Sequence, residues 1–387
     1  MHLASDLQLS LKSVNARLSS MKVLISRKDL KDTTSGVPKK VLQELQFFNN
    51  RGFDAYAIAE TINLEMVKEF GGLPVKTVRW PFSGYFRRKF YHQQVDRWIK
   101  KQLPQIVIGH GDILNQDVLF IHNCVHLAHE LIEGKSLPQD NEVGKIHSAI
   151  FEQGSFKLVI CNSQMMKDDL VKRFKIDPNK AVVIYPEVNL VKFQVSDSAK
   201  VKSEWRKKFG FKNDDFVIGL VTSGNFKKRN LGLLIDSFKE IVKNHPNAKL
   251  FIAGGNIDQK YKDQAPKDGV VFAPPIIDVK NYYYLLDAFV LPAHIEEFGR
   301  SVLEAMFCGV PVITTKFVGA SEIIQGIGRE FIMEKADQKV LVGMIQRLMD
   351  KETSKEVSGI NKKTSINLSA QAQSAEFGKA LATFGIL

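Results

Sequence analysis

The sequence predicts an α/β protein built as two open parallel sheets. Three observations carry that expectation. Short apolar runs alternate with amphipathic helical patterns along nearly the whole chain, the signature of strands and covering helices. The alternation pauses once, over short charged and polar runs between residues 186 and 213. The length, 387 residues, suits two domains at roughly 100–200 residues each.

In the first half, strands are expected at 23–25 (VLI), 54–58 (DAYAI), 75–78 (VKTV), 105–109 (QIVIG), 118–122 (VLFIH), 157–162 (KLVICN) and 181–185 (AVVIY). A polar turn over 30–36 ends in Thr34-Ser35-Gly36, and an amphipathic helix follows from Pro38 to Asn50. Pro38 falls where a first helical turn tolerates proline. After the pause come a strand at 215–222 (DFVIGLVT), a helix from Asn230 to Asn244 capped by that asparagine, and strands at 249–253, 269–273, 287–292 and 311–315. Residues 355–387 are helical in pattern and long enough to pack back across both halves. The expected division is an extension over 1–20, a first domain over 21–195, a second over 196–365 and a closing helix over 366–387.

Composition narrows the class of protein. The 44% hydrophobic and 25% charged residues are ordinary for a globular chain, which excludes disordered, collagen-like and coiled-coil classes. Cys124, Cys161 and Cys308 are far apart and form no CxxC pair, which excludes a disulfide scaffold or zinc finger and fits a reducing compartment. Residues 1–20 lack the basic start and apolar run of a secretory signal. No run approaches the roughly 18–20 apolar residues of a membrane-spanning helix, so a soluble, cytoplasmic protein is expected. The excess of 54 Lys+Arg over 42 Asp+Glu, a net charge of +12, calls for an anionic partner surface.

Open α/β sheets carry their ligand loops at the carboxyl ends of the strands. The loops to examine are therefore 30–37, 109–116, 122–130, 222–230, 254–256, 292–300 and 315–322. The most informative segment is 291–315, LPAHIEEFGRSVLEAMFCGVPVITT. A strand ends at Pro292, a loop carries Glu296 and Glu297, and Phe298-Gly299 leads into a helix closed by Gly309. The N–H groups from Gly299 through Arg300 to Ser301 form an anion site suited to a diphosphate. Glu296 and Glu304 are placed to accept paired hydrogen bonds from sugar hydroxyls. The spacing favours Glu296 over Glu297, although either could point inward.

With these residues in place, the chain resembles the retaining glycosyltransferases of the GT-B fold, family 4. The similarity is strongest at Glu296-x7-Glu304 followed by EAMFCGVPVI, the family's donor motif. Ser35-Gly36 is similar to the small-residue loop after the first strand, Cys161-Asn162-Ser163 to an A-N-S segment, and 317–322 to the loop after the donor motif. The resemblance implies two Rossmann-like domains facing a cleft, acceptor half first. It also implies a nucleotide diphosphate sugar as co-substrate, no other cofactor and no metal. His122 matches the histidine that contacts the donor sugar and shapes the reaction centre.

The loop TSGNFKKRN, 222–230, puts Lys227, Lys228 and Arg229 at the carboxyl end of a strand, where a diphosphate needs neutralising. The family's Lys-Gly is replaced here by Arg229-Asn230, Ser223-Gly224 lies where an upstream Arg often sits, and Glu187-Val188-Asn189 replaces Gly-Val-Asp. The loop is most similar to that of lipopolysaccharide core glucosyltransferases, which implies UDP-glucose as donor and Lys228 with Arg229 as the phosphate clamp. Which of the three cations contacts the diphosphate stays open. His122, His126 and His129 have a spacing that could suit a metal, but no motif such as HExxH supports one.

Residues 85–101, YFRRKFYHQQVDRWIKK, interleave Arg87, Arg88, Lys89, Arg97, Lys100 and Lys101 with aromatic side chains. Such a helix suits an anionic membrane interface; a nucleic-acid surface has similar composition, and a packing helix with a solvated basic face is the plain alternative. Beside the transferase resemblance, the membrane with a lipid-linked glycan acceptor is preferred, and nucleic acid is not. His110 and Asp112 are expected beside the acceptor entry. The whole reading is a peripheral enzyme at the inner face of the cell membrane. The alternatives are a mannosyl- or galactosyltransferase of the same fold acting on another surface glycan, and a relative that has lost activity and only binds glycan or membrane.

Overall fold

The computed structural model describes residues 21–32, 36–81 and 83–387. Ser35 and the expected extension over 1–20 lie outside the described residues. The chain divides into two compact units. One takes in the described residues up to His122, then 138–160 and 383–387; the other takes in 123–137 and 161–382.

In the first unit the strands are β1 (Lys22–Ser26), β2 (Asp29–Leu30), β3 (Asp54–Ala59), β4 (Thr61–Ile62), β5 (Leu73–Lys76), β6 (Ile106–Gly109), β7 (Val118–Phe120) and β8 (Leu158–Cys161). Six of them run side by side in the order β5-β3-β1-β6-β7-β8, and β2 pairs with β4 in a small ribbon. Their pairings are parallel, and β6, β7 and β8 are buried along their whole length, as continuous apolar runs in a parallel sheet must be. Strand β5 ends two residues before the expected 75–78. The side chain of Gln94 accepts from the Val78 N–H and donates to its carbonyl, at 2.9 and 2.8 Å, so those groups have no need of a neighbouring strand. Gln94 stands on the helix Tyr85–Gln102, which the buried Tyr91 sews to the sheet through Ser26 Oγ at 3.0 Å and the Ile58 carbonyl at 2.8 Å.

The second unit contains β9 (Ala181–Val183), β10 (Phe216–Val221), β11 (Ala248–Ala253), β12 (Val270–Ala273), β13 (Ala288–Leu291), β14 (Val312–Thr315) and β15 (Ile332–Met333). Six of these form a parallel sheet ordered β12-β11-β10-β13-β14-β15. Strand order reverses between β10 and β13, which opens a crevice at their carboxyl ends. The first sheet has the same switch between β1 and β6.

The units are drawn differently from the expected division at residue 195, and hydrogen bonds explain why. The Glu322 carboxylate accepts the N–H groups of Gln164 and Met165 at 2.7 and 2.8 Å and the Tyr185 hydroxyl at 3.1 Å. The Val188 N–H bonds the Leu368 carbonyl at 3.0 Å. Residues 161–195 are thus fastened to the second sheet's own connections. The charged stretch read as a pause holds the helix Ser198–Lys208, whose Lys202 and buried Arg206 both pair with Asp287 at the head of β13. Helices Lys351–Ile366 and most of Ala370–Thr383 also belong to the second unit.

Asn230 precedes the helix Leu231–Asn244 as expected but does not cap it. Its backbone is left-handed, φ 55°, and its side chain makes no capping hydrogen bond. A capping side chain needs an extended backbone at that position to reach the next N–H groups. The left-handed turn serves the preceding loop instead.

Candidate functional site

Adjacency of β10 and β13 places the loop 222–230 beside the loop 292–299, and the two are bonded together. The His294 N–H donates to the Lys228 carbonyl at 3.0 Å. The Glu296 N–H in turn donates to the Phe317 carbonyl at 2.9 Å, and Gly319 N–H to the Glu296 carbonyl at the same distance. Gly299 starts the helix Arg300–Phe307 at φ 89°, and a Cβ there would meet Val318 Cγ1 at 2.9 Å. Only glycine fits both the turn and the space.

Four charged side chains meet across these loops. Arg229 lies 3.1 Å from Glu296, and its guanidinium also donates to the Gly224 carbonyl. Lys228 pairs with Glu297, whose other oxygen accepts the Cys124 N–H at 3.1 Å. The cations are only 14% and 15% exposed, so the pairs are largely withdrawn from water. Burial raises the Glu296 pKa, opposed by Arg229 and Lys228. Lys227 points away and pairs with Glu133. The spacing favours Glu296 over Glu297, yet Glu297 is the more buried of the two, with Glu296 half-buried beside it. The signal for the second was the adjacent cation pair Lys228-Arg229, which can satisfy two adjacent carboxylates.

Glu304, in the helix, accepts a 2.7 Å hydrogen bond from Tyr283. Burial first, then Glu304, raises the Tyr283 pKa well above a phenol's ordinary value, so it stays protonated and donates. The other expected donor-loop residues divide. Gly299, Ser301, Ser223 and Gly224 lie in the two loops or the first helical turn, and Gly36 opens the helix Gly36–Asn49. The side chains of Phe298 and Arg300 are otherwise engaged, contrary to expectation. Phe298 is buried in the core against Tyr185, ring centroids 5.9 Å apart, because the strand-to-helix turn drives it inward. Arg300 is 3.0 Å from the buried Glu187, and this pair accounts for an acid where the family has glycine.

In the first unit, His122 follows β7 and His110 follows β6. His110 Nδ1 lies 2.8 Å from His122 Nε2, and His110 Nε2 lies 2.9 Å from Glu44 Oε2. Burial, then His110, holds the His122 pKa well below its ordinary value, so it is neutral. His110 and Asp112 are buried, 2% and 1% exposed, and offer no surface to an acceptor. Asp112 instead binds Arg88 at 2.7 Å, Arg27 at 3.2 Å and the Lys28 N–H at 3.2 Å. Arg88 also binds Glu142, and Arg87 binds the buried Glu60. The expected basic face is therefore smaller than the sequence suggested: Arg87 and Arg88 neutralise buried acids, while Lys89 and Arg97 are exposed. Among the described residues no three His, Cys, Asp or Glu side chains gather as metal ligands would. No helix among them is long and apolar enough to cross a membrane.

The chain thus folds as two parallel α/β units with a cation–carboxylate crevice at the switch point of the second, and family comparison gives this architecture its class. Residues 34–192 match the family described as Glycosyltransferase Family 4, and residues 201–365 match Glycosyl transferases group 1. The chain belongs to the glycosyltransferases of the GT-B fold. A capsular polysaccharide biosynthesis glycosyltransferase, CapM of Staphylococcus aureus, is 32% identical over 52% of this chain and 55% of its own length. The lipopolysaccharide glucosyltransferase WaaG of Escherichia coli is 24% identical over 65% of this chain and 68% of its own. The chain spans about half the length of the first curated relatives it matches. The crystal structure of a WaaG superposes with a TM-score of 0.76 over 92% of this chain and 99% of that one, at 18% identity. Anabaena HepE, solved with UDP and glucose, gives 0.71 over 94% and 99%, at 15% identity.

Proposed function

We propose that the protein is a retaining hexosyltransferase that moves glucose from UDP-glucose to a lipid-linked glycan, with the lipopolysaccharide core as acceptor, and needs no metal. The observation that carries this reading is the crevice where Lys228 and Arg229 stand against Glu297 and Glu296, beside the first turn of the helix Arg300–Phe307. The two cations and the N–H groups of Gly299–Ser301 neutralise the diphosphate, and they stabilise the charge that grows on it as the glycosidic bond breaks. Such preorganised donors lose no energy to rearrangement during the reaction. Glu304, steadied by Tyr283, holds the ribose; Glu296 holds sugar hydroxyls; His122 contacts the sugar. The leaving diphosphate helps deprotonate the acceptor hydroxyl on the same face, which conserves the anomeric configuration. Support for the donor comes from the WaaG relative and the UDP-glucose complexes of HepE. The exposed Lys89 and Arg97 support a peripheral site at the inner face of the membrane.

The likeness to CapM favours a second reading of the acceptor, a capsular or other surface glycan taking a different hexose. The test is a panel of UDP- and GDP-sugars, read by thermal stabilisation and by slow donor hydrolysis in the presence of EDTA. Stabilisation by UDP-glucose alone, lost in Glu304→Ala, and an α-linked product seen by NMR support the proposal. Stabilisation by another donor selects the second reading. No response to any donor, or an inverted product, overturns both.

A further inference from the structure

Lys28 is the second residue after β1, at the carboxyl edge where the first sheet reverses strand order. Its backbone is pinned on both sides. The N–H donates to Asp112 Oδ2 at 3.2 Å, and the carbonyl accepts the N–H groups of Glu60 and Thr61 at 3.0 and 3.3 Å. The ammonium of this half-buried residue, by contrast, makes no hydrogen bond or ion pair among the described residues.

The acids around it are already taken. Asp112 holds Arg27 and Arg88, Glu142 holds Arg88, and Glu60 accepts from both Nε and Nη2 of Arg87. The exposed Asp29 is turned to the Thr61 hydroxyl at 2.6 Å. Four cations, Arg27, Lys28, Arg87 and Arg88, thus share three carboxylates, and Lys28 is left over. The helix Tyr85–Gln102 adds to the excess, because Arg87 and Arg88 stand in a first turn that contains no acid and has no side-chain cap. Burial, then Arg88, holds the Lys28 pKa below a lysine's ordinary value; Asp112 and Glu142 oppose this, and Arg87 adds to it. A desolvated cation without a counter-ion is costly, and an entering anion removes that cost.

We propose that Lys28 binds a phosphate or carboxylate group carried by the acceptor glycan, so that the first unit selects an acidic acceptor over a neutral one. That the anion arrives on a glycan acceptor rests on the transferase reading above; that the site takes an anion does not. An ammonium offers three donors to such a group and imposes no fixed plane on it. Arg87 and Arg88 stay with their buried acids, because breaking either pair strands a carboxylate. A flat anionic membrane reaches the exposed Lys89 and Arg97, whereas a half-buried lysine at a strand end is reached by a group small enough to enter the crevice.

The test is calorimetric binding to the full chain, with UDP added to fill the diphosphate crevice, of a hexose 6-phosphate, a hexuronate, the neutral hexose and inorganic phosphate. The Kd of each acidic sugar should be about tenfold or more below that of the neutral one, on the scale of a charge-assisted hydrogen bond. Lys28→Met should erase that preference and Lys28→Arg should keep it, while Lys145→Ala, at an exposed lysine of the same unit, should leave it unchanged. Equal affinities for acidic and neutral sugars, or an acidic preference that survives in Lys28→Met, overturn the proposal. Inorganic phosphate bound through Lys28 as tightly as the sugar phosphate makes this a free-ion site and overturns it too. Anionic vesicles bound through Lys28, without a preference among the sugars, make it a lipid contact with the same result. Where Lys28→Met does not fold, Lys28→Gln takes its place, keeping a polar side chain without the charge. A Lys28-dependent acidic preference in a protein that responds to no nucleotide sugar upholds the site and sinks the transferase reading; donor turnover without any acidic preference does the reverse.

Discussion

The two units use the same topology to opposite electrostatic ends. Each sheet reverses strand order once, at β1/β6 in the first and β10/β13 in the second. At the second switch point, two cations face two carboxylates, and each group can exchange its partner for a ligand phosphate or hydroxyl. At the first, the arginines are consumed internally by Asp112, Glu60 and Glu142, and what faces outward after β7 is a neutral imidazole held by a hydrogen-bond chain. Topology thus fixes where a site lies, while the residues after each strand decide whether it carries charge or directs a hydrogen bond. On the proposed function, a diphosphate at the second crevice needs exchangeable charge, whereas a neutral sugar needs an oriented hydrogen-bond partner.

The comparison breaks first at Arg229. Arg229→Ala should lower UDP-glucose turnover by about 10²–10³-fold, the scale of one lost preorganised donor, whereas Lys89→Ala on the first unit's exposed helix should leave turnover in solution within about twofold. Turnover near wild type in Arg229→Ala would show that the second crevice does not bind the diphosphate through it. Gly299→Ala should lower stability by about 1–3 kcal/mol in a thermal melt, because alanine must adopt a left-handed backbone against Val318. An unshifted melt would mean the loop relaxes at no cost.

Acidification sharpens the contrast between the units. The raised pKa of Glu296 means that it takes up a proton at a higher pH than an ordinary glutamate as pH falls. Its pairing with Arg229, and turnover with it, should therefore be lost on an acid limb lying above the ordinary carboxylate range, and Glu296→Gln should abolish that limb. His122, with its lowered pKa, should contribute no limb at neutral pH. The smallest effect is expected at Lys227, whose exposed pair with Glu133 is screened by water, with turnover within about twofold in Lys227→Ala. A loss as large as that in Arg229→Ala would transfer the clamp to Lys227.

The alternating apolar runs determined the two sheets, and strand positions followed closely because buried parallel strands must be apolar along their whole length. The loop from Pro292 to Gly299 was legible for a related reason: a strand, a glycine-closed helix and a run of acids and bases between them constrain one another within about 25 residues of sequence. Long-range partners were not legible. Nothing local marked Glu187 as the counter-ion of Arg300, Asp112 as the sink for Arg88, or Glu44 as the end of a chain through His110 to His122. Those pairings join residues between 12 and 113 positions apart, and a charged side chain reads alike in sequence whether it faces water or a buried partner. Only the tertiary structure brings the second charge within reach and removes the water, and that removal turns a basic stretch into a set of fixed ion pairs.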